Sequence, residues 1–370
     1  MTGGSRREIV DGFDPGVPVE EAWTPPSSWY VAPEAFELER RSTFRCNWQL
    51  VGRTDQLQRT GDYFTGELAG EPYVVVRESE AAISAYSNVC RHHAAAVACG
   101  SGRLERFTCP YHGWTYRLNG SLESAPRMGG VRDFDREHFS LPRLEVATLG
   151  PLVFLRWKSG WAFDQLDDLR ERLESGGIEE LRFVERRRYA VECNWKVYVD
   201  NYLDGGYHVP VLHEGLAAQL DLESYRTGLF STYSIQSCPG AREAADARTD
   251  FAERVGERAL YAWVHPATMI NRYGPWMDVN VVVPQGPDRT EVVFDYYLDP
   301  AFDPEDGAFV GRSLDASDRV QDEDRWICEA VQRGLESASY DRGRYAPRIE
   351  NAMHHFHRLL HADLLRALED

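Results

Sequence analysis

Apolar positions along the chain follow two kinds of pattern. From about Trp48 to Phe154 they come in short runs broken by turn residues, and Tyr73-Val-Val-Val-Arg77 and Ile83-Ser-Ala-Tyr-Ser87 have strand composition. Leu118-Asn-Gly-Ser121 reads as a two-residue hairpin turn between such runs. This text predicts a small all-β domain over residues 41–156. Residues 1–40 are Pro-rich and end in a helical pattern from Pro33 to Arg41, a segment expected to pack on the domain that follows residue 156. That domain, residues 157–370, mixes helical patterns near 163–175, 194–209, 316–338 and 347–368 with β-rich stretches such as Asn280–Pro284 and Glu291–Leu298. It reads as α+β, a sheet with helices packed on it.

Length and charge then remove whole classes of function. At 370 residues the chain is long enough for two domains. Its 59 acidic against 41 basic side chains give a formal charge of −18, the wrong sign for coating nucleic acid or anionic lipid. No apolar run approaches the roughly 18 residues of a membrane span. The N-terminus has no apolar core of a secretory signal and carries Glu8, Asp11 and Asp14, so a cytoplasmic setting is expected. Seven scattered cysteines make a poor disulfide framework and are better tested as metal ligands.

Four of the candidate ligands come as two short pairs. Cys90-Arg-His92 is followed, after 16 residues, by Cys109-Pro-Tyr-His112. Zinc could take all four in one tetrahedron, although its usual spacings pair Cys with Cys and His with His. A Rieske [2Fe–2S] cluster takes both cysteines on one iron and both histidines on the other, which suits one Cys and one His per loop. Cys99 lies outside this spacing and reads as a buried small side chain, and His93 as a packing residue beside the site.

A second group sits in Cys193–His213. On a regular helix His208 and His213 would lie about 140° apart and could not share a metal. Pro210 breaks the helix between them, which lets His213 swing back. Two histidines with a carboxylate from elsewhere make the facial triad of non-haem Fe(II) oxygenases; by themselves they could equally be polar caps or surface groups.

An electron-transfer cluster and an oxygen-activating iron are two halves of one catalytic cycle, and with these motifs the chain resembles the Rieske non-haem iron oxygenases, specifically their catalytic α subunits, over essentially its whole length. The resemblance implies an N-terminal all-β Rieske [2Fe–2S] domain and a C-terminal mononuclear iron domain of helix-grip, TATA-binding-protein-like fold. It implies a third iron ligand eight residues before a Gln-x-Gly. Gln332-Arg-Gly334 assigns that role to Asp324, with Asp322 and Glu323 as competitors. The acid that bridges the metals in the family normally stands three residues before the first iron histidine, where this chain has Gly205. Asp204, on the same helical face as His208, is the substitute expected to bond His208 and reach His112 of a neighbouring subunit, with Asp200 as fallback. Asn201 is expected near the iron as a hydrogen-bonding group. The implied assembly is a homotrimer fed by a ferredoxin or flavin reductase.

Within the family the chain resembles the choline monooxygenases of glycine betaine synthesis. Thr24-Pro-Pro-Ser-Ser-Trp-Tyr30, Cys109-Pro-Tyr-His-Gly-Trp-Thr-Tyr116, Asn201-Tyr-Leu-Asp-Gly-Gly-Tyr-His-Val-Pro210, Met269-Ile-Asn-Arg-Tyr-Gly-Pro-Trp-Met-Asp278 and His354-His-Phe-His-Arg-Leu-Leu360 carry that likeness. With no transit segment seen, a bacterial relative is the expectation. The implied reaction turns choline and O2 into betaine aldehyde, through its hydrate. Rival readings are N-demethylation of glycine betaine or another methylammonium, ring hydroxylation of an arene, and a Rieske electron carrier without chemistry of its own. A quaternary ammonium is held by aromatic faces, for which Tyr202, Tyr207, Tyr273 and Trp276 are candidates, core packing being the other use of such residues. A carboxylated substrate would want a cation, with Arg272 the candidate. Arg186–Arg188 read as a solvated strand or a positive face for an acidic donor, and His354, His357 and His361 as packing or surface groups.

Overall fold

The structure is a computed structural model and describes residues 5–218, 220–239, 258–302 and 307–369. Phe44–Phe163 forms one compact unit and the rest of the described chain another. The smaller unit holds the strands β1 (Gln49–Arg53), β2 (Asp62–Leu68), β3 (Glu71–Arg77), β4 (Ile83–Ser87), β5 (Ser101–Arg103), β6 (Phe107–Thr108), β7 (Thr115–Tyr116), β8 (Leu122–Ser124), β9 (Arg143–Leu149) and β10 (Leu152–Arg156). Seven of them pair in the order β1-β10-β9-β4-β3-β2-β5, and β6-β7-β8 form a small separate sheet. Val74, Val76, Tyr86, Phe107, Trp114 and Tyr116 fill a core that also takes in Cys90 and Cys109. The expected two-residue turn at Leu118–Ser121 is a wider loop, closed by Arg117 N–H donating to the Ser121 carbonyl at 2.9 Å. Asn119 Oδ1 accepts from the Ser121 N–H and hydroxyl, and Gly120 turns at φ +80° where a Cβ would lie 2.5 Å from the Tyr86 ring. Ring contact and side-chain capping set this turn, and neither is visible in a two-residue motif.

The larger unit is built on one seven-stranded antiparallel sheet: β11 (Arg182–Val191), β12 (Arg226–Leu229), β13 (Tyr233–Pro239), β14 (Arg258–Val264), β15 (Thr268–Tyr273), β16 (Trp276–Pro284) and β17 (Thr290–Leu298), in the order β11-β17-β16-β15-β14-β13-β12. Helices Trp195–Leu203, Gly307–Leu335 and Asn351–Glu369 pack on it and on one another. The helix expected over 316–338 starts earlier, at Gly307. Its buried stripe runs Val310, Leu314, Ser317, Gln321, Asp324, Cys328, and small polar residues in that stripe mask the 3.6-residue period. The helix expected over 194–209 ends at Leu203, for reasons given below.

The helix Pro33–Arg41 joins this unit through a buried ion pair. Lys196 Nζ donates to Glu39 Oε1 at 2.6 Å and Trp195 Nε1 to Glu39 Oε2 at 2.7 Å, with both charged side chains fully buried. Removing one partner strands the other charge out of water. Lys196→Met should therefore lower the unfolding free energy by about 3–5 kcal/mol. Adding Glu39→Leu should recover much of it, as read by urea midpoints.

The last helix turns several histidines inward. His354 and His361 pack around Phe13, and Trp29 stacks on His361. The Tyr345 hydroxyl bonds His357 Nδ1 at 2.7 Å, and the Tyr30 hydroxyl bonds Nε2 at 3.1 Å, with Asp200 Oδ1 2.9 Å from the same nitrogen. Burial pushes His354 and His355 down to about 4, from an ordinary 6.5. The unfolded chain therefore binds more protons than the native one below pH 6.5, so the stability these rings permit is full above 6.5 and falls as the pH drops toward 4. Melting temperature should decline from pH 6.5 to pH 5, and a His354→Gln, His355→Gln double variant should show a flatter decline.

Candidate functional site

The two Cys–His loops of the smaller unit are copies of one turn. In the first, Ala94 N–H donates to the Cys90 carbonyl at 3.0 Å and Cys90 N–H to the Ala95 carbonyl at 2.8 Å. In the second, Gly113 and Cys109 repeat the two bonds, with the Cys109 and Trp114 carbonyls, at 3.0 and 2.8 Å. The fifth residue of each is left-handed, Ala94 at φ +61° and Gly113 at φ +73°. Both thiols are buried and free, and the rings of His92 and His112 lie 4.7 Å apart. His92 stacks on Trp114, and its buried Nδ1 has no hydrogen-bond partner among the described residues. An orphaned imidazole nitrogen beside two buried thiols is a donor set that fits a Rieske cluster. The Tyr116 hydroxyl lies 3.3 Å from Cys90 Sγ and accepts Arg91 N–H at 3.0 Å, a support that sequence spacing did not single out. His93 packs against His92 as expected, whereas Cys99 is exposed rather than buried.

In the larger unit the chain reverses between two short helices. Helix Trp195–Leu203 ends at Asp204, after which Gly205 and Gly206 turn at φ +70° and +77°. The break thus precedes Pro210, which instead opens the short helix Val209–Leu212 at a position that needs no N–H. Asp204 is not on a common helical face with His208. The turn brings them together: Oδ1 accepts from the N–H of Gly206 and Tyr207, and Oδ2 from the N–H of His208 at 3.0 Å and its Nδ1 at 2.6 Å. His213, at the far end of the short helix, places Nδ1 2.5 Å from Glu323 Oε2. A carboxylate only accepts, so each Nδ1 carries a proton and each Nε2 faces the other way.

Both Nε2 atoms face Asp324, which the helix Gly307–Leu335 supplies. His213 Nε2 lies 3.1 Å and His208 Nε2 4.0 Å from Asp324 Oδ1, and one donor atom from each of the three residues falls within 4.8 Å of the others. Asn201 Nδ2 donates to Asp324 Oδ1 at 2.8 Å, and Gln321 Nε2 faces Oδ2 at 3.4 Å. Of the competitors, Asp322 pairs with Arg325 and Glu323 serves His213. Asp200 accepts from the Tyr30 hydroxyl and faces the His357 ring at 2.9 Å rather than His208. Burial pushes the His213 imidazole down, but the hydrogen bonds and charges of Asp324 and Glu323 outweigh it and hold it above its ordinary value. Two imidazoles and one carboxylate in a pocket that favours positive charge fit a facial Fe(II) site.

A cavity of about 160 Å³ opens beside this triad. Tyr198, Tyr202, Tyr225, Tyr261, Tyr273 and Phe294 line it, together with polar groups that include Gln236, Asn271 and Asp278. Of the four aromatics singled out from sequence, Tyr202 and Tyr273 are on the wall. Trp276 is buried against Phe309, and Tyr207 is 57% exposed. Tyr261 and Phe294 escaped notice because strand pairing decides which residues share the inner face, and Tyr225 because it stands in the turn before a strand. Among the described residues no Lys or Arg lines the cavity. Arg272 donates instead to the carbonyls of Gly274 and Trp276, and lies 3.8 Å from Asp299. Arg186, Arg187 and Arg188 pair with Asp295, Asp318 and Glu291 along the strand. Among the described residues no helix is long and apolar enough to cross a membrane.

Comparison with known proteins matches residues 47–135 to the Rieske [2Fe–2S] domain and residues 178–364 to the catalytic domain of the ring hydroxylating alpha subunit. A chloroplastic choline monooxygenase of Arabidopsis thaliana is 48% identical, over 96% of this chain and 86% of the relative. The carnitine monooxygenase oxygenase subunit of Acinetobacter baumannii is 30% identical over 86% of this chain and 87% of its own. A solved quaternary ammonium Rieske monooxygenase, studied for carnitine oxidation and inter-subunit electron transfer, superposes with a TM-score of 0.79 at 28% identity, over 95% of this chain and 96% of that one. The chain belongs to the Rieske non-haem iron oxygenase α subunits, which carry a Rieske [2Fe–2S] cluster and a mononuclear iron.

Proposed function

We propose that this oxygenase hydroxylates choline, with the cluster on Cys90, His92, Cys109 and His112 and the iron on His208, His213 and Asp324. The observation that carries this reading is the cavity wall: tyrosines and a phenylalanine around Asp278, the carboxylate outside the triad, with no Lys or Arg among the described residues. Aromatic faces attract a quaternary ammonium by about 0.5–2 kcal/mol each, and a buried carboxylate offsets its charge. Carnitine or glycine betaine would bring a carboxylate with no cation to meet it, whereas the choline hydroxyl needs only a neutral partner. The likeness to a plant choline monooxygenase points the same way.

Bound in these sites, the two metal groups supply electrons and oxygen activation for one balanced reaction: one atom of O2 enters the C–H bond beside the hydroxyl, giving the aldehyde hydrate, and two electrons and two protons reduce the other to water. The protein's own part is positional. Asp204 and Glu323 fix which nitrogen of each histidine faces the metal, Asn201 and Gln321 orient Asp324, and the aromatic wall keeps water from the reacting carbon. We assign the electron path to Asp204, which is bonded to His208 and 8% exposed, as the link to His112 of a neighbouring subunit in a trimer supplied by a ferredoxin or flavin reductase.

In single turnovers, the reduced, iron-loaded protein should convert choline to betaine aldehyde and leave glycine betaine, carnitine and an arene unchanged. Formaldehyde with a demethylated amine would move the enzyme to N-demethylation. His208→Ala should drop iron content from three atoms per chain to two, keep the visible spectrum of the cluster and abolish turnover. Two irons in the unaltered protein would instead indicate an electron carrier. Asp204→Asn keeps a side-chain acceptor for the turn, so it should retain three irons yet slow oxidation of the reduced cluster by O2 and choline, followed by stopped flow. Unaltered oxidation would move the bridge elsewhere.

A further inference from the structure

Gln236 stands on the cavity wall, 1% exposed, on strand β13. The orientation of its amide follows from its neighbour. The Tyr202 carbonyl only accepts, so the atom facing it at 3.1 Å is the nitrogen Nε2, which donates. The other end, Oε1, is buried and has no hydrogen-bond partner among the described residues. Buried polar atoms are rarely left so, and one on a ligand cavity is an acceptor awaiting a donor.

Strand pairing places this acceptor at one end of a row. Gln236 is opposite Tyr261, Tyr261 opposite Asn271, and Asn271 opposite Asp278, across β13 to β16. Directly opposed residues share a face of the sheet, and all four line the cavity. Asp278, at the other end, is held by Asn271 Nδ2 at 2.6 Å and by the Tyr273 hydroxyl. Three strand spacings, about 14 Å at the backbone, separate the two ends, and both side chains reach inward from them. The Tyr202 hydroxyl donates to Asn271 Oδ1 at 2.7 Å, so one tyrosine braces both Gln236 and the middle of the row.

We propose that Gln236 is a specificity-determining residue whose Oε1 accepts the hydroxyl proton of the substrate while Asp278 faces its ammonium group. The row then reads an alcohol at one end and a cation at the other. A carboxylate at the alcohol end would set two acceptors against each other, which disfavours glycine betaine independently of the missing cation. The assignment rests on the reading of the cavity as a choline site.

Calorimetric titration of the isolated enzyme tests it with three cations: choline, ethyltrimethylammonium, which lacks the hydroxyl, and the methyl ether of choline, which keeps the oxygen but not the donor. Choline should bind about ten- to a hundredfold more tightly than either analogue, the range of one buried hydrogen bond. Gln236→Met should bring all three within about threefold of one another, with ethyltrimethylammonium bound as in the unaltered protein. Equal binding of choline and its ether by the unaltered enzyme would overturn the role of Gln236 whatever the variant does. So would an undiminished choline preference in Gln236→Met, or a uniform weakening of all three cations. Binding of glycine betaine or carnitine in place of choline would instead strike at the reading of the cavity, a result these analogues distinguish from failure of Gln236 alone.

Discussion

The carboxylate of Asp204 is the interaction on which the site depends. Two histidines five residues apart cannot converge from one regular helix, so the chain must stop, reverse and restart between Leu203 and His213. A restarted helix exposes N–H groups with no partner of their own. Asp204 accepts from three successive N–H groups and from the His208 ring, so one anion both closes the turn and fixes the face that the histidine presents. The two glycines are required by sterics as well as by their positive φ: a Cβ on Gly205 would lie 2.4 Å from the Ile349 carbonyl oxygen. An acid in the family's usual place, at position 205, would collide there. Position 205 is therefore closed to an acid by how tightly the turn sits against the segment before the last helix.

Charge gives the cavity its second constraint. Iron(II) in the proposed triad, with one carboxylate and two neutral imidazoles, carries a net charge of +1, which repels an ammonium ion brought beside it. Asp278 is the remaining acid on the wall and its single negative charge offsets that of the metal site, so an entering ammonium meets a carboxylate as well as the metal. A substrate carboxylate would face the acceptors of the wall with no Lys or Arg among the described residues to pair it, whereas choline brings no such group. The empty quadrant of the charge map, the absence of Lys and Arg among the described lining residues, is thus as informative as the residues present.

Much of this was legible in the sequence wherever the chemistry is carried by short spacings. Cys90-x-His92 and Cys109-x-x-His112 sit in identical turns, and the Gln-x-Gly rule of the family selected Asp324 from three neighbouring acids. Legibility failed where the determining contact is distant. Pro210 looked like the helix breaker, but the break is made by the Asp204 cap and by Gly205, whose space is taken by Ile349. Trp276 and Tyr207 looked like cage residues, yet one turns into the packing beside Phe309 and the other to solvent. Tyr261, Phe294 and Gln236 were not singled out, because their membership of the wall follows from cross-strand register over tens of residues. Composition and local periodicity carry no record of that register.

The same contrast separates the two tasks of the site. The triad His208, His213 and Asp324, with Asn201 and Glu323 behind it, comes from helices and a tight turn, where caps and hydrogen bonds hold each donor. The row Gln236, Tyr261, Asn271 and Asp278 comes from the sheet, where side chains alternate between faces and a substitution at one position leaves its strand neighbours pointing the other way. Residues of the row and of the triad line the same cavity, together with Tyr198 and Tyr202. A change of substrate can then be made on the sheet without disturbing the metal donors, whereas a change among the donors alters the chemistry for every substrate alike. The cavity is thus walled by two kinds of element, the helix that carries Tyr198 and Tyr202 and the sheet that carries the row, and the metal donors come from neither face of the sheet.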